Sequence, residues 1–145
     1  MVNSVLTVDS SVFIAALRPT EPSHIHCRRL FEQVIEGRFE VFVPYSVLLE
    51  VVAAVFRRTG SRTFAHTVQT QLLKASSLHF VDLVKSRACQ ASELATKVGL
   101  RGMDALVLQV AHEMDAVLVT LDEELAETAK GLVSIRPVSS LMKSS

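Results

Sequence analysis

Four acidic residues stand beside or inside apolar runs, where a folded chain has difficulty tolerating a charge. Asp9 follows the run VLTV, Glu50 lies inside SVLLEVVAAVF, Asp104 precedes ALVL, and Asp122 comes shortly after AVLVT. Burying an unpaired carboxylate costs roughly several kcal/mol unless it is protonated, hydrogen-bonded or bound to a metal. These four acids therefore need an explanation, either in the fold or in the function.

Carboxylates that gather at short range repel one another, which raises their pKa values or requires a cation. Their oxygens are hard ligands that favour Mg²⁺ or Mn²⁺ over zinc, and the histidines and cysteines show no zinc-ligand spacing. Such ions can activate a water molecule and stabilise the leaving oxygen during phosphodiester cleavage. The four acids together favour a metal-dependent hydrolytic site.

Each acid also has a structural explanation that the residues alone leave open. Asp9 and Asp122 could each cap the helix that follows, and Asp104 could interact with a helix dipole. Glu50 has no lysine or arginine three or four residues away, so it would need a distant partner such as Arg101. The structural explanation requires all four roles to hold at once.

Short apolar runs alternate with helical patterns, which predicts an α/β domain with a parallel sheet covered on both faces. Strands are predicted at VLTV, FEVFVP, LHFVDL and AVLVT, and LVSIRPV near the end of the sequence could add an edge strand. The helix that carries Glu50 is apolar on nearly every face, so we expect it to be buried.

Ligands of an open α/β sheet gather beyond the carboxyl ends of its strands. Asp9 and Asp122 follow the first and fourth predicted strands, and Glu50 lies about one turn into the helix that leaves the second strand. We therefore expect these three acids at one edge of the sheet. The topology leaves Asp104 open, because its helix runs into the fourth strand.

Composition sets broader bounds on the function. The 145 residues are a common length for one domain, and 49% hydrophobic residues suffice for a substantial core. The net charge of zero argues against a broadly basic surface but leaves room for a local basic groove. The sequence predicts no signal peptide, no membrane span, and reduced cysteines in a cytoplasmic protein.

At the acidic residues the chain resembles the PIN-domain nucleases. Three stretches match the family pattern over nearly the whole chain: LTVDSSVFIAAL, VPYSVLLEVVAAVFRR and GLRGMDALVLQVAHEMDAVLVTLDEEL. The size is most similar to that of the VapC-type toxins of toxin–antitoxin pairs. The resemblance implies a single domain over residues 1–145, folded as a PIN-like three-layer α/β/α sandwich around a mainly parallel sheet of four to five strands.

The resemblance also implies a role for each acid, since their order matches the acidic quartet of the family. Asp9 and Asp104 would be the principal ligands of Mg²⁺ or Mn²⁺, and Glu50 and Asp122 would hold further metal or water. Lying close to this site would be Ser10 and Thr120. The acid-rich DEEL is a departure from the pattern, because Glu123 or Glu124 could replace or supplement Asp122.

The resemblance implies an endoribonuclease that cleaves single-stranded RNA. It also implies a homodimer and inhibition by a small antitoxin whose tail enters the active-site groove. Arg57, Arg58 and Arg101 are candidate contacts for RNA phosphates, although Arg57 and Arg58 could instead form a solvated helix end. Two other functions stay open: a nuclease of this fold in RNA processing or decay without an antitoxin, and a catalytically silent scaffold that binds protein or RNA.

Overall fold

The computed structural model describes residues 5–142, and a sheet of four parallel strands lies at its centre. The strands are β1 (Val5–Val8), β2 (Glu40–Pro44), β3 (Leu78–Val81) and β4 (Val117–Val119), in the spatial order β3-β2-β1-β4. Their residues are mostly apolar and buried, which is the pattern expected of a parallel sheet covered on both faces.

Helices connect the strands along the chain and cover the sheet. Within the described residues they are α1 (Ser10–Ala16), α2 (His24–Ile35), α3 (Tyr45–Thr59), α4 (Arg62–Lys74), α5 (Lys85–Val98), α6 (Gly102–Glu113) and α7 (Glu123–Ala129), followed by a 3₁₀ turn (Val138–Met142). Helix α6 packs against β1 and β2 and in turn contacts α5. Helix α1 contacts α2 and α3, and α3 contacts α4. The predicted α/β/α fold with a parallel sheet is confirmed.

Helix α3 is buried along one side only, so the expectation of a fully buried helix is wrong. Val47 and Val51 are buried, whereas Leu49 is 63% exposed and Phe56 is 43% exposed. An apolar pattern around a helix shows what could be buried, but it does not show how many neighbouring elements are there to cover it. In this fold only part of the circumference of α3 is covered.

The edge strand predicted at LVSIRPV is reduced to isolated parallel bridges, of which only the one between Ile135 and Leu118 joins the segment to a strand of the sheet. The N–H of Leu118 donates to Ser134 O at 2.8 Å, and the N–H of Arg136 donates to Leu118 O at 3.3 Å. Pro137 comes next and has no N–H to continue the ladder. The sheet therefore has four strands, at the lower end of the predicted range.

Neither a membrane-spanning helix nor a disulfide is found between residues 5 and 142. None of the helices there combines the length and the apolar character that a membrane crossing needs. Cys27 is a buried free thiol and Cys89 an exposed one. The single domain expected over residues 1–145 stays a prediction, since residues 1–4 and 143–145 lie outside the described part of the chain.

Candidate active site

The four acidic residues line one cavity of about 970 Å³ at the carboxyl edge of the sheet. Asp9 directly follows β1, and Glu50 lies in the second turn of α3, the helix that leaves β2. Asp122 lies between β4 and α7, and Asp104 is in the first turn of α6. The N-terminus of α6 thus reaches the same cavity, which the topology alone had left open.

Asp9 is almost fully buried, at 6% exposure, and two hydroxyl groups hold its side chain. Ser11 Oγ donates to Asp9 Oδ2 at 2.8 Å, and Thr120 Oγ1 donates to the same oxygen at 2.9 Å. Asp9 occupies the N-cap position of α1, but its side chain makes no capping hydrogen bond. The explanation of Asp9 as a side-chain cap is therefore wrong.

Asp122, in contrast, does cap a helix. Its Oδ1 accepts hydrogen bonds from the N–H of Glu124 at 3.0 Å and from the N–H of Leu125 at 3.1 Å. Both bonds use one oxygen, which leaves Oδ2 of the same carboxylate available to a ligand. Glu123 and Glu124, the suggested substitutes, are exposed and do not line the cavity.

Two substitutions at Asp122 should distinguish the effect of the helix cap on the free energy of unfolding from the effect of the negative charge. Asparagine keeps an oxygen for the two N–H groups, so we expect the unfolding free energy of D122N to stay within about 0.5 kcal/mol of wild type. Alanine removes the cap, and D122A should lose about 0.5–2 kcal/mol. Urea denaturation of the metal-free protein measures both values. Equal losses in the two variants would contradict the capping role.

Glu50 lies close to other negative charges, and within residues 5–142 no salt bridge pairs it with a cation. Burial raises the pKa of its carboxyl, and the negative charges of Asp9 and Asp104 add to the shift. The hydroxyl of Ser10 hydrogen-bonds the carboxylate and opposes the rise. Ser10 also lines the cavity, so it lies beside one of the four acids.

Asp104 is in a similar position at the start of α6. Burial raises its pKa, the charges of Asp9, Asp122 and Glu124 raise it further, and Arg101 acts in the opposite direction. Within residues 5–142, none of Asp9, Glu50, Asp104 and Asp122 takes part in a salt bridge. The cavity therefore gathers carboxylates that no salt bridge within the described residues neutralises, although Arg101 opposes the shift at Asp104.

Arginines and short side chains complete the cavity wall. Arg58 and Arg101 line it, whereas Arg57 is exposed and lies outside the lining. Ser11 and Glu21 also line the cavity, although their sequence context did not mark them as site residues, and Glu21 pairs with Arg18. A hydroxyl two residues after a buried acid was a usable signal for Ser11, because such side chains bond locally. Glu21 had no signal, since it lies in a turn beyond α1.

The donor set suits a hard divalent cation, although the acids do not form a closed cage. In the part of the chain that the structure describes, no three His, Cys, Asp or Glu side chains approach closely enough to complete a metal-binding group. Mg²⁺ usually keeps several waters and takes only one or two protein carboxylates. An open cavity lined by carboxylate oxygens fits an ion of that kind.

A family model described as PIN domain matches residues 6–131. The chain belongs to the PIN-domain family. The matched range contains all four acids, so the resemblance seen in the sequence is confirmed at the level of the family. A comparison with curated protein sequences finds no significant match.

Solved structures share the fold of this PIN domain. VapC20 of Mycobacterium tuberculosis, described as a sarcin–ricin loop cleaving toxin, has a TM-score of 0.72 at 20% identity, over 91% of this chain and 99% of that chain. A protein from Pyrobaculum aerophilum has a TM-score of 0.66 at 24% identity, covering 96% and 93%. VapBC2 from Rickettsia felis, bound to a DNA fragment from its promoter, has a TM-score of 0.66 at 14% identity, covering 92% and 98%. At these identities the likeness shows the fold.

Proposed function

We propose that this PIN domain is a Mg²⁺- or Mn²⁺-dependent endoribonuclease. The observation that carries the proposal is that Asp9, Glu50, Asp104 and Asp122 line one cavity without a salt bridge to any of them within the described residues. Carboxylates kept for structure alone are usually paired when they leave water. Membership of the PIN family and the toxins among its structural neighbours support a nuclease.

Each acid has a role in this proposal. Asp9 and Asp104 would be the principal metal ligands, and Glu50 and Asp122 would hold further metal or water. The bound ion would activate a water molecule and stabilise the leaving oxygen of the phosphodiester. Ser10 would orient the carboxylate of Glu50 through its hydrogen bond.

The RNA would be held chiefly through its backbone. Arg58 and Arg101 line the cavity and would contact phosphates beside the cleaved bond, while the exposed Arg57 would contact phosphates farther along. The described lining contains no aromatic residue on which a base could stack. Phosphate contacts alone do not select a sequence, so weak base preference is expected from this wall.

A cleavage assay with the purified chain tests the proposal. Single-stranded and structured RNAs are incubated with Mg²⁺, with Mn²⁺ and with EDTA, and a DNA of the same sequence serves as the control. We expect cleavage of RNA that needs the metal and stops with EDTA. No cleavage of any RNA, together with no detectable metal binding, would refute the nuclease and favour a silent scaffold.

We further propose that the protein is the toxin of a type II toxin–antitoxin pair in the cytoplasm. Its support is that structural neighbours include the toxin–antitoxin complexes VapBC2 and one from Klebsiella pneumoniae. The gene is then expected beside a short reading frame for a DNA-binding protein with a disordered tail. Coexpression of that protein should relieve growth arrest caused by this chain. The homodimer stays a prediction, and Phe56 and Phe64 are exposed enough to contribute to it.

A further inference from the structure

The hydroxyl groups of Ser11 and Thr120 converge on a single oxygen of Asp9, Oδ2, and leave Oδ1 out of their network. Each hydroxyl also accepts a hydrogen bond from the backbone. The N–H of Leu121 donates to Ser11 Oγ at 3.0 Å, and the N–H of Asp122 donates to Thr120 Oγ1 at 3.0 Å. Because an N–H can only donate and a hydroxyl has one proton, both hydroxyl protons are directed to the Asp9 carboxylate.

We propose that Ser11 is a positioning residue that presents Oδ1 of Asp9 to the metal and fixes it relative to Asp122. This inference rests on the proposed function. Ser11 belongs to the first turn of α1, yet its hydroxyl bonds the backbone of the loop after β4. It therefore joins the two segments that carry Asp9 and Asp122.

Ser11 and Thr120 hold the Asp9 side chain from two different segments of the chain. Thr120 lies on the same segment as Asp122, so it can reach Asp9 only from the side of that loop. Ser11 comes from the helix side, and the two hydroxyls lie 3.4 Å apart with Oδ2 between them as their common acceptor. Losing Ser11 leaves Oδ2 with one hydroxyl and leaves the Leu121 N–H without its acceptor, so the carboxylate gains freedom to rotate.

The adjacent serine has another role and does not substitute for Ser11. The hydroxyl of Ser10 bonds Glu50 rather than Asp9. A better control is Ser92, which also lines the cavity but donates to Ala88 O inside α5. S92A removes the same hydroxyl group from the cavity wall as S11A does, but it breaks no hydrogen bond to an acid of the site.

Calorimetric titration with Mn²⁺ compares wild type with S11A, S11T and S92A. We expect S11A to bind Mn²⁺ about 10–100-fold more weakly, the range measured when a hydrogen-bond partner of a metal ligand is lost. S11T keeps the hydroxyl and should restore binding, and S92A should bind as wild type does. An S11A affinity equal to that of S92A would overturn the positioning role.

Amide hydrogen exchange of the metal-free proteins gives a second readout that needs no metal. In S11A the N–H of Leu121 should exchange roughly tenfold faster than in wild type, as expected for the loss of one hydrogen bond. If wild type binds no Mn²⁺, the proposed function and the presentation of Asp9 to a metal both fail, and exchange then tests only whether Ser11 fixes Asp9 relative to Asp122. Unchanged protection of Leu121 in S11A would then overturn the inference.

Discussion

Replacing Asp9 with asparagine is expected to abolish metal-dependent RNA cleavage and leave the fold intact. The hydroxyls of Ser11 and Thr120 already accept backbone N–H groups and have one proton each to donate. The asparagine would therefore turn its carbonyl oxygen toward them and its NH₂ group toward the metal position. We expect cleavage to fall by more than about 100-fold, because losing only an outer partner of a ligand costs about 10–100-fold.

Single-turnover cleavage with Mn²⁺ measures this effect, and thermal denaturation of the same samples reports on the fold. Glu93 is an exposed acid of α5 outside the cavity lining, so E93Q is the matched control and should cleave as wild type does. Cleavage by D9N at the wild-type rate would show that Asp9 is not a metal ligand.

Replacing Glu50 with glutamine should raise the stability of the metal-free protein while it removes activity. Burial raises the pKa of Glu50, so the folded state binds this proton more tightly than the unfolded state does. Stability is then lost as the pH rises from the ordinary pKa of 4.5 through the higher folded value. E50Q should melt above wild type at about pH 7, and the difference should vanish below about pH 4.

With Mn²⁺ bound, wild type should melt above E50Q. A ligand at 100 times its dissociation constant stabilises the folded state by about 2.7 kcal/mol, and E50Q should gain less because it offers one charge fewer to the ion. The Mn²⁺ affinity of wild type should also rise with pH as protons leave Glu50 and Asp104. Thermal denaturation across this pH range, with and without Mn²⁺, measures both effects. A metal-free E50Q that melts below wild type would mean that a favourable partner holds the carboxylate.

The sequence was sufficient for the sheet and for the place of three acids, for a physical reason. Runs such as VLTV and AVLVT are too short and too apolar for anything but buried strands, and parallel strands bring their carboxyl ends to one edge. Asp9 directly follows one such run, Asp122 comes shortly after another, and Glu50 lies in the helix after a third. Their shared cavity follows from chain direction alone.

Other features depended on contacts that a linear pattern does not contain. The N-terminus of α6 reaches the cavity although its helix leads into β4, and only the packing of α6 across β1 and β2 decides this for Asp104. Arg57 and Arg58 are adjacent in sequence, but neighbouring helical residues point about 100° apart, and only Arg58 lines the cavity. The covered side of α3 was likewise set by its neighbours.

One wall of the cavity has a consequence for how such a protein can diverge. Asp9 comes just before α1, Glu50 lies in α3, Asp104 in α6 and Asp122 in the loop after β4, while α5 contributes Ala88, Ala91, Ser92 and Ala95. Larger side chains at these positions would narrow the groove without altering any of the four acids proposed to bind the ion. In the proposed nuclease, substitutions in α5 would change which RNA fits the groove while the acids that would bind the ion stay the same.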